Sequence, residues 1–135
     1  MRKPFLRIGI VMALLAVILG AFASHALEGM VTEERIETFQ VGVRYQFYHA
    51  FALIALSIIM HIRKTKFLTP AGWLFFFGTI LFSGSLYLLT FQDEMFEFPI
   101  GFVGPLTPIG GTLFIAGWVF FLLATFQKPA SYSRG

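Results

Sequence analysis

An all-α bundle of four transmembrane helices is the architecture encoded by this chain of 135 residues. Three observations carry that expectation. Hydrophobic residues make up 57% of the chain and its mean hydropathy is +0.78, more than one small soluble domain can hide from water. All seven acidic residues (Glu28, Glu33, Glu34, Glu37, Asp93, Glu94 and Glu97) fall in two short segments. Apart from Arg35 and Arg44, the basic residues fall in three others: Arg2 to Arg7, Arg63 to Lys66 and Lys128 to Arg134. Long apolar runs separate the five segments, so the sign of the charge alternates at every crossing.

The first uncharged run, Ile8 to Ser24, follows Arg2, Lys3 and Arg7. Such a run also fits a secretory signal peptide, with Ala21-Phe22-Ala23 as cleavage site. Two features favour a retained helix over 5–25. Gly9, Ala13, Ala16, Gly20 and Ser24 recur at three- and four-residue spacing, which builds a close-packing face. Removing the run would also leave an odd number of spans.

The second helix is expected from Thr32, whose hydroxyl can cap free amides, with Glu33 and Glu34 at the positive end of the helix dipole. Unbroken to Ile62 it measures ~45 Å at ~1.5 Å per residue, against a hydrocarbon core of ~30 Å. Its first turns should therefore form an external, amphipathic extension carrying the apolar stripe Ile36, Phe39, Val43 and Phe47. The membrane part is 44–62. Arg63, Lys64 and Lys66 make a basic turn. Thr69-Pro70 reads as N-cap and first position of the third helix, 70–91. An acidic loop broken by Pro99, Gly101, Gly104 and Pro105 follows. Thr107-Pro108 repeats the start signal for the fourth helix, 108–127.

The positive-inside rule then puts both termini and the basic turn in the cytoplasm and the acidic segments outside. The net charge of +3 belongs to these flanks, where it meets anionic headgroups, and gives no nucleic-acid footprint. The absence of cysteine excludes thiolate chemistry and cysteine-ligated clusters.

Polar residues inside the spans gather toward the outer leaflet: His25, Arg44, Tyr45, Gln46, Tyr48, His49, Ser83, Ser85, Tyr87, Gln92 and Thr107. On the second helix Gly42, Tyr45, Gln46 and His49 share one side at ~100° per residue. An ionisable group at that depth marks function by default. The plainer role for His49 is a hydrogen bond to a neighbouring helix, with Gln46 and Tyr45 as glue. Arg44 reads as an interfacial anchor paired with Glu37, or as a clamp on an anionic headgroup. His25 and His49, with Glu28, make a weak ligand set, so no metal and no cofactor is expected. Gly110, Gly111 and Gly117, and Gly78, Gly84 and Ser85, are expected to let the last two helices approach closely. No lysine or P-loop pattern accompanies them.

Four stretches resemble a known family: Gly20-Ala-Phe-Ala-Ser-His25, Thr38-Phe-Gln-Val-Gly-Val-Arg-Tyr-Gln-Phe-Tyr-His-Ala50, Phe82-Ser-Gly-Ser-Leu-Tyr-Leu88 and Gly104-Pro-Leu-Thr-Pro-Ile-Gly-Gly111. They resemble domain-of-unknown-function family 423, the small YgdD/YwdK-like bacterial membrane proteins related to animal transmembrane protein 256. Family members usually carry glycine-alanine-histidine where this chain has Ala23-Ser24-His25. The resemblance implies a four-span inner-membrane protein and no established activity.

The functional expectation is a scaffold or binding module. Its outer-leaflet pocket of His25, Arg44, Tyr45, Gln46, His49 and Tyr87 would hold a lipid headgroup or small polar ligand. The alternative is a homo-oligomeric transporter or channel subunit for small solutes, with His49 as proton carrier, since no Asp or Glu lies within a span. An enzyme using the histidines as bases would need a nucleophile or metal set that the sequence does not display.

Overall fold

The computed structural model describes residues 2–63, 65–91 and 104–128. It contains four helices: α1 (Arg2–His25), α2 (Glu33–Ile62), α3 (Leu68–Thr90) and α4 (Leu106–Phe126). Each is long and apolar enough to cross a membrane. The predicted all-α, four-helix transmembrane architecture is therefore present. Lys64, the acidic segment around Asp93, Glu94 and Glu97, and the C-terminal tail lie outside the described residues.

The helices run alternately up and down, and each packs mainly along its neighbour in sequence. Small residues set the spacing. A Cβ on Gly9 of α1 would sit 2.9 Å from the Ala50 carbonyl oxygen of α2. A Cβ on Gly78 of α3 would sit 2.6 Å from the Phe114 ring of α4. At Gly110 an added Cβ would collide with the Phe82 backbone. The expected close approach of these helices is thus real at Gly9, Gly78, Gly110 and Gly117. Gly84 differs: an added Cβ there meets nothing within 4 Å.

Two cores divide the bundle along its length. Phe5, Met12, Ala50, Leu53, Leu56, Leu68, Ala71 and Phe75 fill the half nearer the chain termini, here called the terminal end. Ala16, Ala23, Leu27, Phe39 and Val43 fill the other, distal half. Leu27 belongs to the connection between α1 and α2, which turns back at Gly29 (φ +84°) so that Leu27 is wholly buried. Only glycine adopts that backbone without strain.

The start of α2 follows the sequence. Thr32 Oγ1 accepts from the Arg35 amide at 3.2 Å, and Glu33 and Glu34 occupy the first turn. The amphipathic stripe also exists, but it is not a free extension. Phe39 is buried against Tyr87, with ring centroids 4.8 Å apart, and Val43 is buried beside it. The stripe is covered by residues of α1 and α3, Ala16, Ala23 and Tyr87 among them.

Two helix starts differ from expectation. α3 begins at Leu68 and α4 at Leu106, each two residues before its proline, and neither Phe67 nor Pro105 makes a side-chain cap. The first four amides of a helix have no intrahelical acceptor, so proline fits the third position as readily as the first. The Thr107 hydroxyl, released from capping, bonds Ser85 Oγ at 2.5 Å across the helix interface.

Much of the outer surface is apolar. Ile10, Leu14, Val17 and Ile18 on α1 and Ile115, Val119 and Leu122 on α4 are about half exposed or more. A surface this apolar requires lipid around it.

Candidate functional site

The six residues expected to form one pocket do not come together in one place. Gln46 is 5% exposed and lies between α1 and α3. Its Nε2 donates to the Met12 carbonyl at 2.8 Å, and its Oε1 accepts from the Tyr87 hydroxyl at 2.6 Å. A carbonyl can only accept, which fixes which end of the amide faces α1. Ser83 Oγ donates to the Gly42 carbonyl at 2.7 Å in the same region. Gly42 matters here because a Cβ would lie 2.7 Å from the Tyr87 ring. Three helices are thereby joined by one satisfied polar network.

His49 points away from that network, toward α4. Its ring lies flat on Phe114, with centroids 3.6 Å apart and planes inclined by 6°. Nδ1 lies 2.8 Å from the Tyr45 carbonyl oxygen, and Nε2 accepts from the Trp118 indole at 3.1 Å. A carbonyl accepts and an indole donates, so both contacts are met only by the neutral ring protonated at Nδ1. Tyr45, half exposed, packs on Phe82 at 4.7 Å between centroids.

Arg44 and His25 join neither group. Arg44 is exposed and pairs with Glu37 at 2.5 Å, the anchor partner its spacing predicted. His25 is exposed in the last turn of α1. Among the described residues no group of three or more His, Asp or Glu side chains is placed to share a metal ion.

Among the described residues, lateral clefts open between the helices. One, of about 510 Å³, lies between α1 and α3 and includes Gln46 and Tyr87 in its floor. Another, of about 460 Å³, lies between α2 and α4 and includes Tyr45 and His49. Neither contains His25 or Arg44. A smaller one, of about 220 Å³, lies near Arg63 at the terminal end.

Sequence reasoning passed over two arginines with clear positions. Arg35 donates to the Leu89 carbonyl at the end of α3, at 2.6 Å. Arg63 donates to the Gln127 carbonyl at the end of α4, also at 2.6 Å. Each binds a carbonyl at the negative pole of a neighbouring helix. The signal was present: antiparallel packing sets each end of α2 level with another helix's C-terminus.

Comparison with known proteins gives a consistent result. Residues 19–111 match the family model described as a protein of unknown function, DUF423. The chain is 39% identical over 123 residues to the UPF0382 membrane protein YwdK of Bacillus subtilis (strain 168), covering 90% of this chain and 95% of that one. It is 38% identical over 125 residues to UPF0382 membrane protein SAB0533 of Staphylococcus aureus (strain bovine RF122 / ET3-1), covering 93% and 97%. The same values hold for SH2409 of Staphylococcus haemolyticus (strain JCSC1435). No solved structure matches the chain at a significant level.

Proposed function

The chain belongs to the DUF423 family, and from that premise we propose that this small multi-pass membrane protein is a binding scaffold that takes its ligand sideways, out of the bilayer. One observation carries the reading. Gln46, Tyr87 and His49 are bonded within the bundle, while clefts of about 510 and 460 Å³ open between the helices beside them and face lipid. A polar ligand in either cleft would have to break bonds already made, at about 1–2 kcal/mol each. An apolar ligand would not. The ligand class favoured by this arrangement is lipid rather than a small polar solute.

The transporter reading has less support. Proton passage through His49 would need a free ring nitrogen, and both are engaged. In this proposal the host membrane is the bacterial cytoplasmic membrane, and the terminal end faces the cytoplasm, as the charge bias dictates.

The test pairs two measurements on the reconstituted protein. Native mass spectrometry from bilayer nanodiscs is expected to show retained phospholipid. Proton flux in liposomes is expected to stay at the protein-free level. Flux well above that level, abolished by His49→Phe, would sink the scaffold reading in favour of transport.

A further inference from the structure

We propose that the cleft between α1 and α3 holds one acyl chain of an anionic phospholipid from the terminal-end leaflet, with Arg7 taking the headgroup phosphate. This rests on the lateral-binding reading and specifies its site and ligand.

Four observations converge. First, the cleft has the right span. On α1 it runs from Arg7 to Leu15, in the terminal half of that helix, and on α3 from Phe76 to Tyr87, past the middle of the helix. The α3 wall is ~16 Å long at ~1.5 Å per residue, about half of the ~30 Å hydrocarbon core, so a chain that enters at Arg7 reaches the bilayer centre.

Second, the floor demands hydrocarbon. Its polar residues Gln46, Tyr87 and Ser83 are bonded within the bundle, and Thr79 Oγ1 donates to the Phe75 carbonyl at 2.9 Å. The side chains that line the rest are Ile8, Val11, Met12, Leu15, Phe76 and Ile80.

Third, a cation stands at the terminal mouth. Arg35, Arg44 and Arg63 all have partners. Arg7 lines the cleft, is exposed, and has no hydrogen-bond or ion-pair partner among the described residues. A guanidinium at that level matches a phosphate in charge and in bidentate geometry. The α2–α4 cleft has no charged residue in its lining. In the small terminal cavity one terminal nitrogen of Arg63 donates to the Gln127 carbonyl and its Nε is buried rather than presented to a headgroup.

Fourth, the cleft is kept open by a glycine that packing does not require. Gly84 lines it, and an added Cβ would meet nothing. A mid-helix glycine costs roughly 0.5–1 kcal/mol relative to alanine, and here no neighbouring backbone or ring accounts for it. Space for a chain does.

The experiment uses the whole protein in nanodiscs of equal phosphatidylglycerol and phosphatidylcholine, extracted in mild detergent, with retained lipid counted by native mass spectrometry. Wild type is expected to retain one phosphatidylglycerol, favoured about fivefold, the value of one arginine near a charged surface. Arg7→Gln should keep a lipid but lose the preference. Gly84→Leu should retain none while keeping wild-type helix content and melting. Val11→Phe plugs the cleft from the opposite wall and should do the same if Gly84→Leu folds poorly. Wild-type retention in both plug variants would overturn the site. A fivefold preference that survives Arg7→Gln would overturn the headgroup contact. Equal retention of both lipids by wild type, lost on plugging, would overturn the anionic assignment and leave lateral binding standing. No retained lipid in wild type would overturn both.

Discussion

Gln46 and His49 are one turn apart on α2, yet they serve opposite sides of the bundle. Gln46 reaches α1 and α3, and His49 reaches α4. The ~100° turn per residue separates them by only ~60° over three residues. Contact with different neighbours comes from how α2 sits between the flanking helices, which no helical wheel displays. Gln46→Leu removes the side-chain donor to the Met12 carbonyl and the amide acceptor of the Tyr87 hydroxyl. It should lower stability by about 1 kcal/mol, measured by equilibrium unfolding in mixed micelles. In a double-mutant cycle with Tyr87→Phe, a coupling near 0.6 kcal/mol is expected; a coupling of zero would contradict the bond. For His49, the sensitive probe is Trp118 itself. In a Trp73→Phe background, His49→Phe keeps the stack on Phe114 but removes the acceptor for the indole. The Trp118 emission should shift to the blue, and an unchanged spectrum would speak against the bond. The polar character of both residues was legible in the sequence. Their partners were not, because Met12 contributes a backbone oxygen and Trp118 lies 69 positions away.

At the level of elements, glycine is the discriminating residue. Gly110 and Gly84 look alike in sequence, both within helices and both near other small residues. Packing separates them: one faces the Phe82 backbone and the other faces open space. Gly110→Ala should destabilise by about 2 kcal/mol through overpacking. Gly84→Ala should be neutral or stabilising by up to ~1 kcal/mol. Equal effects of the two in the same unfolding assay would mean that α3 and α4 do not meet as described. Helix existence and order were readable from hydropathy and charge, since an apolar run of this length has few alternatives in lipid. Helix starts were less so. The Thr-Pro pairs signalled the first turn correctly but not the position within it, because every amide of that turn is free of intrahelical bonds. The Phe39 stripe announced an amphipathic segment and left open whether lipid or protein would cover it.

For the whole molecule, charge sets the orientation and the absence of cysteine makes it testable. Met30 is exposed in the α1–α2 connection and Lys66 is exposed in the α2–α3 turn. Single cysteines introduced there face a chain with no competing thiol. Met30→Cys should react with a membrane-impermeant maleimide in intact spheroplasts, and Lys66→Cys only after lysis. The reverse labelling would invert the bundle and place the Arg7 mouth in the other leaflet.

The sequence by itself determined the solvent, the number of crossings and the family. Those follow from sums over many residues, where hydrophobic free energy and charge bias add along the chain. Only the tertiary structure decided what the polar residues do. It dispersed six candidates that the sequence gathers at the outer ends of three helices, tied four of them to partners within the protein, and left clefts between the helices. The physical reason is directional: a hydrogen bond depends on where an acceptor on another helix lies to within a fraction of an ångström. That position is set by helix spacing, which here depends on whether a glycine meets a backbone, a ring or nothing.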